Sequence, residues 1–77
     1  MYETAGVKTA ELVRRIARFA RKRGMALRYD RRHGKGSHGR IYLGSRFSTV
    51  PGERKDIGAG LLAKILRDLG LRREDLD

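Results

Sequence analysis

Arg40-Ile41-Tyr42-Leu43-Gly44-Ser45-Arg46-Phe47-Ser48-Thr49-Val50 reads as two strands folded back on each other. Residues 40–43 alternate charged or ring-bearing with aliphatic, the period of a half-buried strand, with Ile41 and Leu43 on the core side. Gly44-Ser45 is a hairpin signal. Residues 47–50 are a further strand, stopped by Pro51 and Gly52, and its register depends on the turn. A two-residue turn puts Ser48 and Val50 on the face of Ile41 and Leu43, whereas a three-residue turn puts Phe47 and Thr49 there.

Working outward, residues 25–29 (Met-Ala-Leu-Arg-Tyr) alternate as a strand with Met25, Leu27 and Tyr29 on one side. Before them, Leu12, Val13, Ile16, Phe19 and Ala20 recur at helical spacing, with Arg14, Arg15, Arg18, Arg21 and Lys22 opposite. Thr9 is a natural N-cap, Glu11 suits the positive end of the dipole, and Gly24 suits a left-handed C-terminal position. This predicts a helix over 10–23. After the hairpin, 53–60 is polar and reads as a loop. Leu61, Leu62, Ile65, Leu66 and Leu69 then mark a second helix, closed by Gly70, with Leu71 placed for the apolar contact that often follows such a cap. Residues 1–8 read as a loose arm and 72–77 as a charged tail. The expected class is α+β, in the order α-β-β-β-α: a three-stranded antiparallel sheet with two helices on one face. The length of 77 residues admits one domain, spanning 1–77.

Composition narrows the functions. There is no cysteine, which excludes a disulfide framework and thiol chemistry. The two histidines, His33 and His38, are too few for a zinc site without carboxylates around them, and no metal or cofactor is expected. No apolar run resembles a secretory h-region or a membrane span, so a soluble cytoplasmic protein without a membrane partner is expected. The net charge of +10 suggests a polyanion partner, nucleic acid first. Ion-pair networks of the thermophile kind are the other source of such charge, but those mix both signs. Here 19 basic residues face 9 acidic ones.

Between the 25–29 strand and the hairpin lies Arg31-Arg32-His33-Gly34-Lys35-Gly36-Ser37-His38-Gly39-Arg40. Glycines let backbone N–H groups approach an anion, and arginine and lysine hold phosphate. Histidine is the side chain suited to moving a proton near neutral pH. By alternation His38 falls on the solvent side with Arg40 and Tyr42. A base there can take the proton of a ribose 2′-hydroxyl, whose attack on phosphorus expels the 5′-oxygen and leaves a cyclic phosphate. Lys35, Arg40 and the backbone of Gly36 to Gly39 are placed for the developing charge, and Ser37 for phosphate or for orienting the imidazole. On spacing alone His38 reads more simply as a surface histidine in a loop. Arg32 and His33 read as solvated residues or phosphate contacts, His33 also as a complementary acid. The loop is not a Walker motif, since no Gly-Lys-Ser/Thr closes it before a helix. Tyr29 and Tyr42 can stack on unpaired bases, although Tyr29 is more simply a half-buried strand residue. The basic side of the first helix is either a phosphate track or a solvated face.

Taken together, Gly36-Ser37-His38, the strand with Ile41-Tyr42, then Thr49-Val50-Pro51, then Gly60-x-Leu62-x-x-Ile65-Leu66-x-x-x-Gly70-Leu71 resemble the HicA (YcfA-like) toxin family over residues 10–71. The resemblance implies a double-stranded-RNA-binding-domain-like fold and ribosome-independent mRNA cleavage. It assigns the catalytic histidine to His38, around which Lys35, Gly36, Ser37, Arg40, Arg32, His33 and Tyr42 are the RNA and phosphate contacts expected from the residues themselves. It also implies a HicB-like antitoxin that binds the toxin and blocks its site. Two positions depart from the family pattern. Gly52-Glu53-Arg54 follows Pro51 where many members carry a second histidine, which leaves the acid/base partner of His38 unassigned. Leu61 stands where members often have Thr. The alternative expectation is a non-catalytic RNA-binding module of the same fold. Double-stranded-RNA binders usually concentrate lysines at the start of their last helix, and here that segment is Gly60-Leu61-Leu62-Ala63. A protein whose charge serves only solubility would leave the glycine loop without a role.

Overall fold

A computed structural model describes residues 7–31 and 38–76. In chain order its elements are β1 (Val7–Lys8), α1 (Thr9–Arg23), β2 (Leu27–Asp30), β3 (Gly39–Leu43), β4 (Arg46–Val50), β5 (Asp56–Ile57), α2 (Ala59–Leu69) and a 3-10 turn (Arg73–Leu76). Strands β2-β3-β4 form an antiparallel sheet in that order, and β1 pairs antiparallel with β5 in a separate two-stranded sheet.

The hairpin takes the two-residue turn. Leu43 pairs with Arg46 and Ile41 with Ser48, and Gly44 adopts a φ of 61° that few residues other than glycine tolerate. Ser48 and Val50 therefore join Ile41 and Leu43 on the buried side, while Phe47 and Thr49 face out. Leu12, Ile16 and Ala20 of α1 and Leu62, Ile65, Leu66 and Leu69 of α2 close over that side to make one core. The molecule is thus α+β, a three-stranded antiparallel sheet with two helices on one face. Among the described residues, no element covers the other sheet face.

Both helices end as their glycines predict. Gly24 and Gly70 are left-handed, at φ 67° and 72°. Gly24 donates to the Arg21 carbonyl and Met25 to that of Ala20; Gly70 donates to Arg67 and Leu71 to Leu66. These paired bonds are the Schellman arrangement, and the buried Leu71 supplies its apolar contact. The same bond draws Met25 into the cap. The expected strand over 25–29 consequently begins at Leu27, and Met25 is 39% exposed instead of facing the core.

The start of α1 also differs from expectation. Thr9 is the first helical residue rather than its N-cap, and it is fully buried. The free N–H groups of a first helical turn need acceptors. Here they come from across the chain: Thr9 donates to the Lys55 carbonyl at 3.0 Å and Ala10 to that of Glu53 at 3.1 Å. The reason lies in the 53–60 segment, which is not simply a polar loop. Ile57 is its one buried apolar residue, 0% exposed, and anchoring it pairs Asp56–Ile57 with Val7–Lys8. A Lys8–Asp56 ion pair at 3.1 Å adds a surface contact. The loose arm expected over 1–8 is accordingly fixed at Val7 and Lys8; residues 1–6 lie outside the described residues. The tail expected from 72 is a 3-10 turn, because Leu76 packs against the core and the Asp75 carboxylate accepts from the Arg72 N–H at 2.9 Å. No helix among the described residues is long and apolar enough to cross a membrane.

Candidate functional site

The uncovered sheet face collects the chemistry. Strand alternation turns Arg28 of β2, Arg40 and Tyr42 of β3, and Phe47 and Thr49 of β4 outward. Residue 38, next before β3, falls on the same side by alternation, and His38 is exposed. Its place is set by Gly39. A Cβ on Gly39 would stand 2.7 Å from the Asp30 carbonyl oxygen and 2.9 Å from that of Arg31, so only glycine lets the start of β3 lie so close to the end of β2. Gly39 pairs with Val50 in the ladder rather than belonging to an open loop. It therefore acts as the close-packed base next to His38.

Across the middle of this face Arg28, Tyr42 and Phe47 are directly opposed partners on three neighbouring strands. The Arg28 guanidinium carbon lies 5.1 Å from the Tyr42 ring centroid, and the Tyr42 and Phe47 rings are 6.1 Å apart at 38°. Arg40 reaches diagonally over Phe47, its guanidinium carbon 4.7 Å from the ring centroid. The Arg40 Nε is shielded from solvent and has no acceptor among the described residues. Asp30 stands opposite Arg40 across the β2–β3 ladder. Beside the site, Arg31 and Glu53 pair at 3.6 Å.

Of the residues expected at the site, His38, Arg40 and Tyr42 share this face. Arg32, His33, Lys35, Gly36 and Ser37 lie outside the described residues. Tyr29 sits on the other side, half-buried against the core. Its hydroxyl has no partner among the described residues, and burial, reinforced by the Glu53 charge, pushes its phenol up. Phe47 and Arg28 were not expected at the site. The two-residue turn was the available signal for Phe47, since it alone sends 47 outward; alternation about Leu27 and Tyr29 was the signal for Arg28.

The basic side of α1 is partly neutralised. Glu11 takes an ion pair from Arg14 at 3.1 Å and a bond from Arg15 at 3.0 Å. Those contacts, the Arg15 bond first, hold its carboxyl below the usual range. Because α1 packs on the buried side of the sheet, its exposed arginines point away from His38. Comparison of the chain with protein-family models, with characterised proteins and with solved structures finds no match.

Proposed function

We propose that this chain is a metal-independent endoribonuclease toxin of the HicA kind, with His38 as its general base. The supporting observation is the position of His38: exposed at the start of β3, next to a backbone fixed by Gly39, on the face that also carries the outward Arg40 and Tyr42. The imidazole takes the proton from a ribose 2′-hydroxyl. The 2′-oxygen bonds to phosphorus, the bond to the 5′-oxygen breaks, and that oxygen leaves as a hydroxyl after taking a proton. The products are a 2′,3′-cyclic phosphate and a 5′-hydroxyl. Arg40 supplies positive charge to the phosphate in flight, with Arg32, His33, Lys35, Gly36 and Ser37 as further contacts. The nucleophile is part of the substrate, so no metal-bound water is required. The order α-β-β-β-α within the element sequence is compatible with the double-stranded-RNA-binding-domain-like arrangement that the resemblance implies. A HicB-like antitoxin covering the open face, and a cytoplasmic site of action on mRNA, complete the reading.

Inducing the protein alone in bacteria is expected to arrest growth, and His38→Ala to abolish the arrest with the fold intact. Equal toxicity of the two proteins would sink the assignment of His38. Purified protein is expected to cut RNA in EDTA and to leave a 2′-deoxy nucleotide uncut; a strict requirement for a divalent ion, or cleavage of the deoxy substrate, would refute the chemistry. The second reading, a non-catalytic RNA-binding module, is favoured by the cationic open face, which does not need His38 to bind. It predicts RNA binding with no cleavage by the unmodified chain.

A further inference from the structure

The β4 strand buries Val50 but sends its one aromatic side chain outward. Phe47, the largest apolar side chain of the strand, is 51% exposed, while Ser48 is 1% exposed and faces the core. A one-residue slip would exchange them, at the cost of turning the buried Val50 outward. The register that prevents this is held by the Gly44-Ser45 turn and by the Ser48 hydroxyl, which donates to the Asp68 carboxylate of α2 at 2.8 Å. The inward position is thus provided with a hydrogen bond so that a serine can occupy it, and the ring is kept outside. Violations of the burial pattern are expected where function requires them.

What surrounds the ring indicates what it meets. Phe47 closes the row Arg28–Tyr42–Phe47, with guanidinium groups laid against both rings. Flat rings and guanidinium planes on an uncovered sheet are the surfaces on which unpaired bases stack. The charge of the chain, +10, favours a polyanion as the molecule that brings them. Tyr42 lies four residues from His38 along β3, about 13 Å by strand rise. We infer that the Arg28–Tyr42–Phe47 row, with Arg40, is a stacking platform for the unpaired bases of single-stranded RNA flanking the phosphate at His38. The inference rests on the reading of this chain as an RNA-binding protein, and it makes Phe47 the residue that selects single-stranded over paired RNA.

The test is binding of a labelled single-stranded oligouridine by the His38→Ala protein, alone and carrying Phe47→Ala or Phe47→Leu. Loss of one stacked base weakens binding by about 5- to 150-fold, and the expected loss is in that range for both variants. Leucine keeps an apolar side chain but has no flat face, so Phe47→Leu decides the question should Phe47→Ala fail to fold. The slope of affinity against salt is expected to stay unchanged, because no cation is removed. The same RNA annealed to its complement should bind more weakly and be indifferent to residue 47. Equal affinity of Phe47→Leu and the parent for the single strand overturns the inference and gives this face to a protein partner instead. Cleavage with its KM unaffected by Phe47→Leu overturns the platform while leaving the nuclease reading standing. A ring-dependent affinity in a protein that never cleaves upholds the platform and removes the nuclease.

Discussion

Gly39 and His38 show how much a single residue can decide. The Gly39 Cα faces two backbone oxygens that cannot move without parting β2 from β3. Gly39→Ala is expected to destabilise by about 1–3 kcal/mol, the usual cost of forcing one carbon into packed structure, and to reduce any activity that depends on where His38 projects. Gly60 supplies the contrast: it is helical, and a Cβ there meets nothing within 4 Å. Gly60→Ala should stabilise by about 0.5–1 kcal/mol. Thermal melts of the two variants check both, and a harmless Gly39→Ala would show that β2 and β3 can part freely at this point. The sequence made the exposure of His38 legible, because alternation from Ile41 and Leu43 extends back to it. It did not reveal the use of Gly39, since a glycine beside histidines and cations looks alike whether it binds an anion or packs against a strand. Phe47 was hidden for a related reason. An aromatic among strand residues is read as core unless the turn length is known, and the hydrogen bond that lets Ser48 replace it is made by Asp68, distant in sequence.

At the level of elements, α2 is joined to β4 by that same contact. Asp68 accepts from Lys64 at 2.9 Å as well as from Ser48. The two bonds, Lys64 first, hold its carboxyl below its ordinary value. A carboxylate lowered in the folded state gives stability that is fully present above its unfolded pKa, about 3.9, and is lost as the pH falls through the lower folded value. Asp68→Asn should therefore lower stability at neutral pH and flatten the acid limb, and urea melts between pH 7 and pH 3 measure it. An unchanged acid limb would place the acid sensitivity elsewhere. The helices and the three main strands were readable because their periods span many residues and their stops are glycines and a proline. The paired strands β1 and β5, two residues each, have no period to read. Only the isolated Ile57 in a polar stretch hinted at a buried anchor.

For the molecule as a whole, two groups of cations lie on opposite sides: the open sheet face with Arg28 and Arg40, and the outer side of α1, where Glu11 offsets two arginines. The first side carries the histidine, so a short single strand held there does not need the second. The whole is closed by β1 and β5. Ile57→Ala is expected to cost about 2–5 kcal/mol and to remove hydrogen-exchange protection at the Thr9 and Ala10 amides, whose acceptors it holds in place. Unfolding that is weakened while those two amides stay protected would separate Ile57 from the helix cap. The arrangement also has a consequence for the chain as it is made. The first turn of α1 is made before its acceptors, at residues 53 and 55, which follow more than forty residues later. Until then the helix has an open end, and closing so long a loop carries an entropic cost that grows with its length. Synthesis interrupted before Ile57 therefore yields a fragment that has the histidine and the strand hairpin but cannot close its first helix, so the fold is completed only when translation has passed the segment that caps its beginning.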